Sequence, residues 1–329
     1  MFGDQPKKYP QNISFLLLPG FSMIGFSAMV APLRWANSLS EQPVYSWNVV
    51  SLNGKAIKSS DELSLLADHR VQETEQGSLF IVCAGLNPQA LLSKRLLAVI
   101  RKFASMGQDI GAQDTGSYIL AAAGVLDGYR ATIHWENQES FRDAFPDVKL
   151  VEELFEIDRN RFSCSGGLSG LDMMLHLVKI QHGPKLAATI SEKLIYVQGR
   201  EGSSPQRLSL QSRYGTGNKK LLVSIEKMHL EIEQPLSISQ LARNVQVSER
   251  ELERLFKKYL QSTPVAFYRG LRLAHARTLL QQTTNSIAEI SVRSGFGSSS
   301  HFSRSYRSHY GYPPSEERTP SENWKIIMS

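Results

Sequence analysis

Ser237-Ile238-Ser239-Gln240-Leu241-Ala242, followed by Val247, Ser248, Leu252, Arg254 and Phe256, reads as a helix, a turn and a second helix, and the chain carries this pattern twice. The second copy is Ser286-Ile287-Ala288-Glu289-Ile290-Ser291, then Phe296, Phe302, Arg304 and Tyr306. The copies hold register through both helices and differ by one residue in the turn, as a structural repeat does. Ser237 and Ser286 are N-cap candidates, and the Ile, Leu and Ala positions behind them make the apolar stripe of a short helix. In the first copy Ser248 caps a second helix whose Leu252, Leu255, Phe256 and Tyr259 share one buried face, which turns Arg250, Glu253 and Arg254 outward. In the second copy Phe302, Tyr306 and Tyr310 supply that face, leaving Ser299, Ser300, Ser303 and Arg304 outward. Between the copies, Pro264 opens a helix through Leu271, Leu273, Ala274, Ala276, Leu279 and Leu280 that sets their separation. Paired units of this kind read one face of a duplex at patches about 34 Å apart. The expected partner is double-stranded DNA.

Charge follows the same division. Residues 206–329 carry a net charge of +8, while residues 1–205 carry −2. A basic segment joined to a slightly acidic one suits phosphate contact, since basic side chains release condensed counterions from the duplex. At 329 residues the chain is long enough for two or three ordinary domains, each with its own core. Cys83 and Cys164 are its two cysteines, without metal-ligand spacing around them, so the sequence implies neither a disulfide scaffold nor a metal, and no cofactor. No stretch approaches the roughly 20 apolar residues that span a bilayer, and the N-terminus lacks an apolar signal core. A cytoplasmic protein with no membrane partner is expected.

Upstream, apolar runs alternate with amphipathic stretches. Ile13–Leu18, Trp47–Leu52, Leu79–Cys83 and Asp109–Ala112 read as buried strands; Ile24–Leu39, Pro88–Met106, Thr115–Leu126 and Leu168–His182 read as helices. This alternation predicts an α/β domain with a mostly parallel sheet and its site at the strands' carboxyl ends. There Gln113-Asp114-Thr115-Gly116-Ser117 leaves a strand and enters a helix directly, the setting of a strained elbow that lifts Asp114 above the sheet. Asp114-Thr115-Gly116-Ser117 also matches the aspartic-protease tetrapeptide. That chemistry needs two carboxylates on an all-β frame, and this chain has one copy in an α/β setting.

Two family resemblances rest on these residues. From about Lys219 to Arg318 the chain resembles the AraC/XylS transcriptional regulators, through Ser248 to Phe256, Pro264, Arg272-Leu273, Ala276-Arg277, Gly295-Phe296, His301-Phe302-Ser303-Arg304, Tyr310-Gly311 and Pro314-Ser315. By that resemblance Arg250, Glu253, Arg254, Ser299, Ser300, Ser303 and Arg304 fall on DNA-facing positions. Residues 10–198 resemble the flavodoxin-like DJ-1/PfpI, glutamine-amidotransferase-like fold, through the elbow, the run from Gly124 to Trp135, Cys164-Ser165-Gly166-Gly167 and Leu171-Asp172. In that fold the elbow usually holds Cys, with a His some twenty residues on, positions that Asp114 and His134 occupy here. Aspartate is a weak nucleophile toward an amide, so the substitution argues against a cysteine-type mechanism. Cys83 lies on another strand and reads as a small buried hydrophobe.

The combination is similar to the amidotransferase-like regulators that respond to glycine betaine, carnitine or arginine. It implies an activator governed by a small cationic or zwitterionic metabolite that is bound and left intact. Asp114 and Glu136 supply the negative charge; Trp135, with Phe21 or Trp35, offers a π surface; Thr115 and His134 complete the candidate site. The alternative reading is an amidase or lyase using Asp114 and His134. A homodimer and contact with RNA polymerase are further expectations for such a regulator. The predicted architecture is thus a flavodoxin-like α/β sensor (1–198), a linker (199–218), an all-α reader with two helix-turn-helix units (219–318) and a tail (319–329).

Overall fold

The computed structural model describes residues 2–4, 6, 9–74, 79–197 and 199–318; the expected tail at 319–329 lies outside them. The chain divides into two compact units, Met1–Gln206 and Arg207–Pro320.

The first unit is built on seven strands: β1 (Gln11–Leu17), β2 (Tyr45–Ser51), β5 (His69–Arg70), β6 (Leu79–Ala84), β7 (Ile110–Asp114), β10 (Phe155–Asp158) and β11 (Arg161–Cys164). Small two-stranded pairs, β3 (Ile57–Lys58) with β4 (Ser64–Leu65) and β8 (Arg130–Ala131) with β9 (Lys149–Leu150), accompany them. The sheet order is β10-β11-β7-β6-β1-β2-β5, parallel except for the antiparallel edge strand β10. The order reverses direction between β1 and β6, so the crevice at their carboxyl ends is the place where a doubly wound sheet binds ligands.

Strand alternation assigns the two faces. Ile13, Phe15 and Leu17 of β1 point into one core, with Cys83, Phe162, Cys164 and helices α1 (Met23–Leu39), α6 (Ser169–His182) and α7 (Pro184–Lys193). Leu16 and Leu18 point into the other, with Phe80, Val82, Ala112 and helices α2 (Pro88–Leu91), α3 (Lys94–Ser105), α4 (Gly116–Ala122) and α5 (Gln138–Ala144). Coverage on both faces explains why Leu79–Ala84 is apolar and buried without a break.

Several expectations need correction. Pro88–Met106 is two helices, because Leu92 is extended and the Ser93 side chain caps a new helix by accepting the Leu96 N–H. The helix expected over Thr115–Leu126 ends at Ala122, where Gly124 takes a positive φ of 74°. The edge strands β5 and β10, and β11 beside β10, were not expected from the sequence. The stretch 199–218, expected as a linker, makes contacts of its own. Arg200 bonds buried Asp172 at 2.9 Å, and the Leu154 N–H donates to Gly202 O at 2.9 Å. Its later part forms helix α8 (Leu210–Tyr214), with Leu210 and Tyr214 packed on the core of the second unit.

The second unit continues with α9 (Lys219–Leu230), α10 (Ile238–Asn244), α11 (Glu249–Leu260), α12 (Pro264–Gln282), α13 (Ile287–Arg293) and α14 (Ser299–Tyr310). Both first helices of the repeat open on the same device: Ser237 with Gln240, and Ser286 with Glu289, form reciprocal capping boxes. One core joins α9, α10 and α11 through Leu221, Ile225, Leu241, Leu252 and Phe256. A second joins α13 and α14 through Ile290, Phe296, Phe302 and Tyr306. Helix α12 belongs to both, giving Tyr268 to the first and Leu273, Ala276, Leu279 and Leu280 to the second. Among the described residues no helix is long and apolar enough to cross a membrane.

Candidate functional site

The elbow is strained as the sequence suggests. Asp114 ends β7 with φ 58°, in the left-handed region that side chains other than glycine seldom adopt, and α4 begins two residues later. The tightness depends on two glycines. A Cβ on Gly116 would stand 2.2 Å from Val82 O, and one on Gly166 would stand 2.8 Å from the carboxyl carbon of Asp114. Thr115 Oγ1 donates to Gly85 O in the loop after β6. The loops that follow β6, β7 and β11 therefore converge on Asp114.

Burial pushes the Asp114 carboxyl up to about 7; the Thr115 backbone N–H opposes the shift and the charge of Glu136 adds to it. That coupling places Glu136 near the elbow. His134 caps a short helical turn over Trp135–Asn137: its Nδ1 accepts the Glu136 N–H at 3.4 Å and stands 3.8 Å from Glu136 Oε2. Burial lowers the His134 pKa against the opposing Glu136 charge, so the ring is neutral at pH 7 and its Nδ1 is an acceptor. The Trp135 ring lies 5.6 Å from that of His134 and is 37% exposed. The same loop is anchored beneath, where Ser117 Oγ donates to Thr132 O at 2.6 Å and the Thr132 N–H donates to Ser163 Oγ at 2.8 Å.

The structure thus holds Asp114 and Thr115 at the elbow and His134, Trp135 and Glu136 together on one turn, with the charge of Glu136 acting on Asp114. It does not bring Phe21 or Trp35 to them as open π surfaces. Phe21 is fully buried against Phe26, a core ring; Trp35 packs beneath Arg34 and Lys193 at 4.3 and 5.9 Å. Cys83 and Cys164 flank Gln113 across the sheet, and burial raises both thiols, Cys83 well above its usual value. Neither is a nucleophile at neutral pH. Gln113 itself was not singled out: its side chain is fully buried, and among the described residues neither end of its amide has a hydrogen-bond partner. A polar residue near the end of an otherwise buried strand was the available signal. A cavity of about 550 Å³ lies elsewhere, between α6 and α7, and none of the elbow residues lines it.

In the second unit, α11 buries Leu252, Leu255 and Phe256 and exposes Arg250, Glu253 and Arg254. Tyr259, expected in the buried face, is 36% exposed at its edge. Helix α14 buries Phe302 and Tyr306, exposes Ser299, Ser300 and Arg304, and leaves Ser303 half-buried. The turn before α14 is clamped by Arg272, whose Nε and Nη2 donate to Ser294 O and Gly295 O at 2.9 and 2.7 Å beneath the Phe296 ring. Each module thus presents one amphipathic helix with polar residues outward, the form that enters a major groove.

A doubly wound domain with a non-cysteine elbow, joined to paired helix-turn-helix modules, defines a class of DNA-binding regulator. Comparison with known proteins gives the same result. The DJ-1/PfpI family matches residues 11–180, and a helix-turn-helix domain family matches residues 241–319. The transcriptional regulator CdhR of Pseudomonas aeruginosa is 42% identical over 94% of this chain and 91% of its own length. GlxA of Rhizobium meliloti is 35% identical over 98% of this chain and 99% of its own. A crystal structure of an AraC family transcriptional regulator from Pseudomonas putida covers 56% of this chain and all of its own, with 30% identity and a TM-score of 0.53. The chain belongs to the AraC-type, DNA-binding transcriptional regulators that carry an N-terminal DJ-1/PfpI domain.

Proposed function

We propose that this regulator is an activator whose effector is a small cationic or zwitterionic metabolite of the betaine, carnitine or amino-acid type, held at the elbow and released unchanged. Asp114 and Glu136 attract the cationic group, and the exposed Trp135 face meets it through its π system. His134, neutral, accepts a hydrogen bond. An enzyme would need a nucleophile here, and the elbow offers a weak one, while the two thiols beside Gln113 are kept protonated by burial. The reading includes a cytoplasmic homodimer on double-stranded DNA, with RNA polymerase as its downstream contact.

The observation that carries the regulatory half is Gln206. Its Nε2 donates to Thr132 Oγ1 at 3.0 Å, Ile133 O at 3.0 Å and Glu153 O at 2.9 Å. Thr132 and Ile133 lead directly into His134-Trp135-Glu136, and Gln206 is the last residue before the second unit begins. Effector contact with that loop is therefore felt at the root of the reader. By linkage, an effector that favours one arrangement of this latch changes DNA affinity, and DNA changes effector affinity by the same factor. Gln206→Ala is expected to leave effector binding within about threefold while reducing the coupling toward none. Isothermal calorimetry and DNA titration with and without effector measure the two quantities; undiminished coupling contradicts the latch.

The outward residues of α11 and α14 read the duplex. Arg254→Ala and Arg304→Ala are each expected to weaken binding to the preferred sequence by about 1–3 kcal/mol and to relax the preference at one position. Competition binding at defined salt checks this, and an unchanged preference would reduce either arginine to a surface charge.

A further inference from the structure

Glu251 and Arg254 stand three residues apart on α11, with side chains 38% and 61% exposed. The pair is side-on and bidentate: Arg254 Nε donates to Glu251 Oε2 and Nη2 to Oε1, both at 2.7 Å. An exposed pair of this kind adds almost nothing to stability. Its effect is geometric. A guanidinium carries five N–H donors in one plane. Glu251 occupies the Nε proton and one on Nη2, leaving both Nη1 protons and the second Nη2 proton directed away from the carboxylate. That remaining end-on fork matches O6 and N7 of guanine in the major groove.

The backbone that carries the carboxylate is itself held in place. The Glu251 N–H donates to the capping Ser248 Oγ at 3.1 Å, which fixes the residue in the first turn of α11, where the helix N-terminus favours an anionic side chain. An arginine without such a partner searches many rotamers before its fork meets a base, and ordering it on the DNA costs entropy. Arg254 has its plane set beforehand.

We propose that Glu251 is a positioning residue for base readout: it aims the Arg254 fork at a guanine and so sharpens sequence preference without touching the duplex. The inference rests on the placement of Arg254 in the groove under Proposed function. It has a distinctive signature, because a carboxylate near phosphates opposes general attraction to DNA. Removing its charge should strengthen sequence-blind binding while blunting the preference for one base pair, so affinity and specificity move in opposite directions.

Selection of the full chain against a randomised duplex library, followed by competition binding at fixed salt, gives the base preference at every position for the wild type, Arg254→Ala, Glu251→Gln and the double variant. Arg254→Ala flattens one G·C position. Glu251→Gln is expected to flatten the same position by about tenfold, to leave affinity for mixed-sequence duplex equal or tighter, and to add nothing once Arg254 is alanine. Wild-type preference in Glu251→Gln, or an effect that adds to that of Arg254→Ala, overturns the positioning role and leaves Arg254's own readout standing. Tighter binding to the selected sequence with its preference intact shows that Glu251 competes with DNA for Arg254, and also overturns the role. If Arg254→Ala leaves every position unchanged, the underlying placement fails instead.

Discussion

Asp114→Asn is expected to make the protein more stable at about pH 8 while abolishing effector binding. The folded structure holds this carboxyl at a pKa of about 7, against an ordinary value of 3.8. The proton is thus bound more tightly in the folded state. The stability it contributes is fully present below the unfolded value of 3.8, falls as the pH rises, and is gone once the pH passes about 7. Above that, the folded state carries a desolvated carboxylate at a penalty on the order of 2–4 kcal/mol. Asparagine keeps the shape, tolerates the left-handed backbone better than most residues and has no charge to bury. Thermal melts across pH should show the variant's advantage growing from mildly acid to alkaline conditions. A variant destabilised at every pH would mean that Asp114 is held by partners and is a structural residue.

The proposed role of Asp114 also predicts how effector binding depends on pH. On the proposal that a cationic effector binds the ionised carboxylate, its affinity should fall as the pH drops below about 7, approaching tenfold per pH unit.

Glu317→Ala is expected to destabilise the second helix-turn-helix module by about 3 kcal/mol. The Glu317 side chain is 6% exposed and accepts from Arg277 Nε at 3.0 Å, Gln281 Nε2 at 2.6 Å, Tyr306 Oη at 2.7 Å and Tyr312 Oη at 2.6 Å. It ties α12 and α14 to the segment that follows them. Its loss leaves the hydroxyl of fully buried Tyr306 without this acceptor and the Arg277 guanidinium without its carboxylate. Burial raises the Glu317 pKa, but the four donors outweigh it and hold the carboxyl below its usual 4.5. Its contribution is present above that value and disappears as the pH falls through the lowered folded-state value. Hydrogen exchange of the full chain should report faster opening of α12–α14 in Glu317→Ala, and a flatter acid limb in Glu317→Gln. Unchanged exchange in those helices would remove the clamp from the account.

What the sequence disclosed, and what it did not, divides by range. Leu79–Ala84 was legible because a strand covered on both faces is apolar throughout. The N-caps Ser237 and Ser286 were legible because a cap lies next to the helix it opens; the reciprocal bonds from Gln240 and Glu289 came only with the structure. The elbow was legible because a glycine two places after Asp114 permits the close approach to Val82 O. Strands β10 and β11 escaped because each is only four residues long: Phe155-Glu156-Ile157-Asp158 and Arg161-Phe162-Ser163-Cys164 do alternate apolar and polar, but over too short a run to stand out. Ser93 interrupts an apparently continuous helix with a cap that propensity alone does not reveal. Phe21 looked available on its loop, but the fold turns it into the core. The Gln206 latch joins residues 74 positions apart and leaves no local trace. Glu251 and Arg254 are neighbours on one helix face; treating Arg254 as an isolated outward charge hid their pairing.

The central claim is that a metabolite bound intact at the elbow controls the reader. The direct test is the DNA affinity of the full chain, titrated with betaine, carnitine and amino-acid compounds, for the wild type and Asp114→Asn, with the recovered compound assayed for chemical change. A compound that shifts wild-type affinity by at least about fivefold, fails to shift that of Asp114→Asn and returns unaltered is the predicted result. Turnover of the compound, or an equal response in both proteins, would contradict it.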